Sequence, residues 1–244
     1  MKRSYVIAWV FIILASTLLI EYYTNMRFPT QEYPFIGVPE LAIGETHTFS
    51  YIKALDQVGT YSYTISGKEG GLYTMVSTTD VSFEGQNILL ESYFVFDEQY
   101  RPEEYNLTVK QAGDLNEIYV TFTGGDVIAT VSFQNETVTF SDEFPTSAFM
   151  AENNMPGVWE ILLISAELEM GSRYTAQVYI PQGGAMFDLE FYVQSTPKTI
   201  TIDGEQLSCM VVQETSLELR FYLHDGKLVQ MRNNAQDLMF TRIN

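Results

Sequence analysis

From about Thr46 onward the chain alternates apolar and polar residues with a period of two, in short runs broken by Gly, Asp and Asn. That pattern confines it to successive antiparallel strands with one dry face and one wet face. Asp225-Gly226, between Leu217–His224 and Lys227–Arg232, is the clearest hairpin mark, because Asp-Gly accepts the positive φ of a type I′ turn. Asp203-Gly204 repeats it between Thr199–Ile202 and Gln206–Gln213. Further turns are predicted at Gly67-Lys68-Glu69-Gly70, Gly124-Gly125 and Gly183-Gly184. The inward faces are read as Leu217, Leu219, Phe221, Leu223; Phe187, Leu189, Phe191, Val193; and Val127, Ala129, Val131, Phe133. About a dozen strands are expected, with no fixed-period repeat of the propeller or solenoid kind.

One segment, Asn154 to Gly171, breaks the rhythm. Asn154 as a cap, Pro156 in the first turn and Gly171 at the left-handed end predict a helix over about 155–170. Its polar residues are few (Glu160, Ser165, Glu167, Glu169), so it should be buried against the concave face of the sheet. The expected fold is mainly β: a curved antiparallel sheet, half-barrel or sandwich, with one buried mid-chain helix.

The N-terminus is read differently. Lys2 and Arg3 precede an uncharged run, Ser4 to Ile20, closed by Glu21. A helix of that length reaches about 26 Å, near the ~30 Å hydrocarbon core of a bilayer. A cleaved signal peptide is the competing reading, but Ala15-Ser16-Thr17 falls inside the apolar run, a poor cleavage site. Residues 1–22 are therefore expected to form an uncleaved signal-anchor transmembrane helix, 23–44 a linker or draped arm, and 45–244 a β domain. Basic residues stay inside, so a single-pass cell-membrane protein with its C-terminal domain outside the cytoplasm is expected. The sequons at Asn106 and Asn135 are candidate glycosylation sites that suit an exported domain.

Charge narrows the partners. With 13 basic and 31 acidic residues the net charge is −18, which argues against a nucleic-acid partner. Cys209 is the only cysteine and is read as a buried small hydrophobe, since no intrachain disulfide can form. His47 and His224 are read as solvated strand histidines rather than paired metal ligands. The pairs Asp97/Glu98, Glu103/Glu104 and Asp142/Glu143 are read as solvated loops, with calcium binding and a glycosidase pair behind. Tyr61, Tyr63, Tyr73, Tyr93 and Phe94 fit core packing better than a ligand groove. No zinc-hydrolase, thiol-redox, α/β-hydrolase or nucleotide motif occurs, so no catalytic residue, metal or cofactor is expected.

The stretches Trp159–Ile180 and Ile200–Arg232, about a quarter of the chain, resemble the β-clam proteins of the lipoprotein-carrier (LolA/LolB-like) kind. They are also similar to uncharacterised exported sheet proteins with a mid-chain helix and a terminal Asp-Gly hairpin. The clam resemblance implies acyl chains held in an apolar hollow; no site residue of that family maps onto this chain, and a retained anchor departs from a soluble shuttle. The expectation is a non-enzymatic, membrane-anchored extracytoplasmic binding protein holding a lipid or other apolar ligand, with Trp159, Leu162 and Leu163 as candidate lining. The alternative is a non-catalytic accessory or structural subunit of a membrane or cell-surface complex, meeting a protein partner through the arm or a sheet edge.

Overall fold

The computed structural model describes residues 29–83, 85–134 and 136–243. The membrane helix expected over 1–22 and the sequon residue Asn135 lie outside them. Among the described residues no helix is long and apolar enough to cross a membrane.

The described residues form seventeen strands and one helix. The strands before the helix are β1 (Thr30–Glu32), β2 (Thr46–Lys53), β3 (Asp56–Glu69), β4 (Leu72–Phe83), β5 (Gln86–Asp97), β6 (Pro102–Gln111), β7 (Asp114–Thr123), β8 (Asp126–Phe133), β9 (Glu136–Glu143) and β10 (Phe149–Met150). After α1 (Pro156–Ile164) come β11 (Arg173–Ile180), β12 (Ala185–Val193), β13 (Lys198–Ile202), β14 (Glu205–Glu214), β15 (Leu219–His224), β16 (Lys227–Asn233) and β17 (Leu238–Arg242).

All belong to one sheet, built as two meanders. β2 to β9 pair in sequence, as do β14 to β17, and β17 lies antiparallel to β2 with Phe240 opposite Tyr51, so the two halves are joined in the middle. β12 pairs with β11 and with β14, while β13 is a flap on β14. β1 and β10 run parallel to β11. The sheet curls until Phe122 of β7 meets Tyr179 of β11 edge-on at 5.9 Å, with both faces of α1 inside. Inward residues of nearly every strand join α1 in a single core.

The turn chemistry follows the sequence. Asp225 and Gly226 have φ of 48° and 71°, and Asp203 and Gly204 have 50° and 85°. The first Gly-rich turn sits two residues later than expected: Gly70 and Gly71 carry the positive φ between paired Glu69 and Leu72, and Gly67 adjoins a bulge after Ile65. The inward sets hold in their middles (Leu219, Phe221; Leu189, Phe191, Val193; Val127, Ala129), but Phe187 and Phe133 are exposed because their strands outrun the core.

The helix is shorter than its sequence pattern. It ends at Ile164, because the arm takes over the hydrogen bonds a further turn would use: Ile36 N–H donates to Ser165 O and Glu167 N–H to Pro34 O. Asn154 does not cap it. Its φ is 61°, and its side chain joins Asn233 and Gln236 of the β16–β17 hairpin, leaving Met155 at the N-cap. Gly171, also at positive φ, belongs to the turn into β11.

Candidate functional site

The hollow of the sheet is filled. Trp159 and Leu162 are 0 % exposed and Leu163 1 %. Trp159 packs on Phe221 and Phe191 and donates its indole N–H to Glu152 O at 2.7 Å. These three residues are core, as apolar residues around most of the helix circumference dictate, and they line neither the groove nor the cavity described below.

Concavity lies instead outside the helix, against the arm. Tyr33 is held by its backbone N–H on Thr175 O and by its hydroxyl on Leu162 O, at 3.0 and 3.1 Å. Its ring meets Phe149 at 5.6 Å, and Phe35 meets Phe149 at 5.4 Å. These rings, with Ala148 and Ala176, floor a groove of about 530 Å³ whose rim carries Glu32, Gln99, Arg101, Thr146 and Asp188. Burial, and the neighbouring Tyr174, keep the Tyr33 phenol un-ionised at any physiological pH. Three aromatic rings below a polar rim suit a small amphiphile.

A second feature is a buried charged knot at the other side of α1. Glu160 accepts from Tyr63 OH at 2.8 Å and from Leu228 N–H at 3.2 Å, and pairs with Arg242. Burial raises its carboxyl and these partners offset the rise. Arg242 Nη1 lies 2.8 Å from His47 Nδ1, which must be the acceptor because a guanidinium only donates. Burial and Arg242 lower the His47 pKa, so this histidine is not the solvated one expected. A cavity of about 170 Å³ touches His47, Tyr63, Glu160 and Lys227. With its oxygens engaged, Glu160 acts as a tie between α1, β3, β16 and β17.

The third feature is Glu152, between β10 and α1. It is 0 % exposed, and its carboxyl oxygens have no hydrogen-bond partner within ordinary geometry. The hydroxyls of Tyr105 and Ser92 face it, and burial pushes its pKa up to about 7. The sequence gives no signal for it: Glu152-Asn153-Asn154-Met155-Pro156 has the composition of an exposed turn. Within residues 23–44, read as a linker or draped arm, the pairing of β1 gave no such signal, since it runs parallel to a strand more than 140 residues away.

The remaining candidates stay apart. His224 sits by Ser208 O and Asp225 on β15, away from His47 on β2. Among the described residues no group of three or more His, Cys, Asp or Glu is placed to hold a metal ion. Asp97 accepts from Gln99 and Arg101 N–H in a turn, whereas Glu103/Glu104 and Asp142/Glu143 lie on strands rather than loops. Asn106 is half-buried in mid-β6, donating to Glu117 at 2.6 Å. Tyr61, Tyr63, Tyr73 and Phe94 are core, and Tyr93 is exposed on the convex face.

No protein-family model and no curated protein matches the chain. Among solved structures it is similar to a β-barrel-like protein of the domain of unknown function DUF1849 from Brucella abortus, at 10 % identity and a TM-score of 0.51, over 88 % of this chain and 98 % of that one. A DUF1089 family protein from Pseudomonas aeruginosa matches 78 % of this chain and 92 % of its own at 10 % identity and a TM-score of 0.37. The comparison shows a β-barrel-like fold and does not show the lipoprotein-carrier resemblance.

Proposed function

We propose that this chain is a membrane-anchored extracytoplasmic binding protein whose ligand seat is the groove between the arm and residues 146–149, taking a lipid or similar amphiphile. The observation that carries the reading is the aromatic floor of Tyr33, Phe35 and Phe149 under a polar rim. Its volume of about 530 Å³ falls in the ~300–1,000 Å³ range of small-molecule sites. Lys2 and Arg3 before the apolar run support the anchor.

The test is native mass spectrometry of the full-length protein released from its own membrane in mild detergent. An added mass of several hundred daltons that extracts into organic solvent, and is lost in Ala176→Trp, supports the groove. A bare protein overturns it.

A second reading, an accessory subunit, is favoured by β9. This edge strand is exposed throughout, pairs with β8 without a bulge and carries no Pro, Lys or Arg of the kind that blunts edges. Val138 and Phe140 on it are each 50 % exposed. Protein subunits in the same spectrum, lost in Thr139→Pro, support this reading instead.

A further inference from the structure

We propose that Glu152 is a proton-binding site that sets how firmly the groove wall is held: with a neutral carboxyl the segment from Phe144 to Met155 is locked into the barrel, and with a carboxylate it loosens. The coupling to ligand rests on the groove being a ligand seat; the proton site does not.

The geometry is of a segment pinned from both sides of Glu152. Upstream, Thr146, Ser147, Ala148 and Phe149 form one wall of the groove. Between them and the helix, Ala151 N–H donates to Tyr179 O at 3.0 Å, and the Tyr100 hydroxyl lies 3.1 Å from both Met150 O and Val158 O. The Glu152 carbonyl is taken by Trp159. Its side chain is thereby carried inward, where it has no solvent exposure.

What surrounds the carboxyl decides its charge. Tyr105 on β6 and Ser92 on β5 face it, and Tyr61 on β3 and Tyr100 in the β5–β6 turn are close enough for its charge to bear on them. None is a cation, and burial holds all three phenols un-ionised. A carboxylate there has no counter-charge, and the two hydroxyls that face it stand outside ordinary hydrogen-bond geometry, so they stabilise a buried anion only weakly. Tyr105 OH is itself without an ordinary hydrogen bond, so the pocket is poorly equipped for either a strong acid or a strong base. Burial accordingly places the titration at about pH 7. Ionisation is relieved only by admitting water, and the route for water is displacement of the segment that bears the groove wall.

The experiment is amide hydrogen exchange of residues 144–155 in the full chain, wild type against Glu152→Gln at matched pH, so that the intrinsic exchange chemistry cancels. At about pH 4.5, where the carboxyl of the opened segment has only begun to ionise, the two should exchange nearly alike. At about pH 8.5 the wild type should exchange at least about tenfold faster, the effect of one unit of pKa difference. A ratio that stays constant with pH overturns the proposal. Should Glu152→Gln not fold, Tyr105→Phe serves: it removes a hydroxyl that favours the ionised form, so the midpoint of the exchange profile should rise by about half a unit or more. An unmoved midpoint overturns the proposal. Nile red, an uncharged apolar dye, reads the coupling. It should bind wild type several-fold more weakly at the higher pH and Glu152→Gln equally at both. Dye binding that is independent of pH in the wild type removes the coupling; absence of dye binding at any pH, with the exchange ratio intact, removes the groove reading and leaves the proton site.

Discussion

Gly157 N–H donates to the Tyr61 hydroxyl at 3.1 Å, and a Cβ built on Gly157 would stand 2.6 Å from that oxygen and 2.7 Å from the Tyr63 ring. The start of α1 is thus in van der Waals contact with β3 through backbone alone. Gly157→Ala should cost about 1–3 kcal/mol, the usual penalty of overpacking, and Tyr61→Phe should not rescue it because the Tyr63 ring still intervenes. Urea titration followed by circular dichroism measures both; an unshifted midpoint means the helix can lift from the strand.

Arg242 and Glu160 form a buried pair, the side chains 10 % and 4 % exposed. Removing one partner leaves the other charged and unmatched, so Arg242→Met should destabilise by about 3–5 kcal/mol. Adding Glu160→Leu should recover part of that loss. Additivity in the double-mutant cycle would argue that the pair is not coupled.

Glu152 gives a stability profile of a definite sign. A carboxyl raised from 4.5 to about 7 on folding holds its proton in the native state while the unfolded chain loses it. Stability therefore falls as pH rises between those values and levels off above, by roughly 3 kcal/mol in all. Burial also raises Glu160 and Glu214, so the quantity to measure is the difference between wild type and Glu152→Gln across pH. That difference should open between pH 4.5 and about 7 and then stay flat; a difference that does not vary with pH refutes it.

Leu162 and Phe149 separate a filled hollow from an outer seat. Leu162→Ala should cost about 2–5 kcal/mol and leave ligand retention intact in whatever fraction folds. Phe149→Ala should strip the ligand from the groove. The reverse pattern in native mass spectra would return the ligand to the hollow.

Cys209 lies with Val211, Tyr222 and Val229 in a small second core beneath the β13 flap. Burial raises its thiol pKa, so it should ignore thiol reagents in the native protein and react at once in urea. Fast native labelling would mean that the flap opens.

The legible parts of this protein were those set by neighbours in sequence. Asp225-Gly226 and Asp203-Gly204 announce their hairpins because the positive φ they need is a local demand. The apolar body of α1 showed for the same reason. Its end did not, because Ala166 leaves the helix to bridge Phe35, a residue far upstream. Nor did the groove, whose floor joins Tyr33 and Phe149 across 116 positions by tertiary packing alone. Glu152 was hidden most completely, since a buried acid in a turn-like sequence is betrayed only by what folds around it.

The seam between β17 and β2 bears on how such a sheet comes to exist. Ser50 donates to Thr241 O across 191 positions. During synthesis from the N-terminus, β2 emerges early and its neighbour β17 among the last, so a ribbon from β2 to β9 is complete while one flank still offers bare amides and carbonyls. That interval of unmatched edge is when a chaperone has most to protect, and loss of β17 would make it permanent.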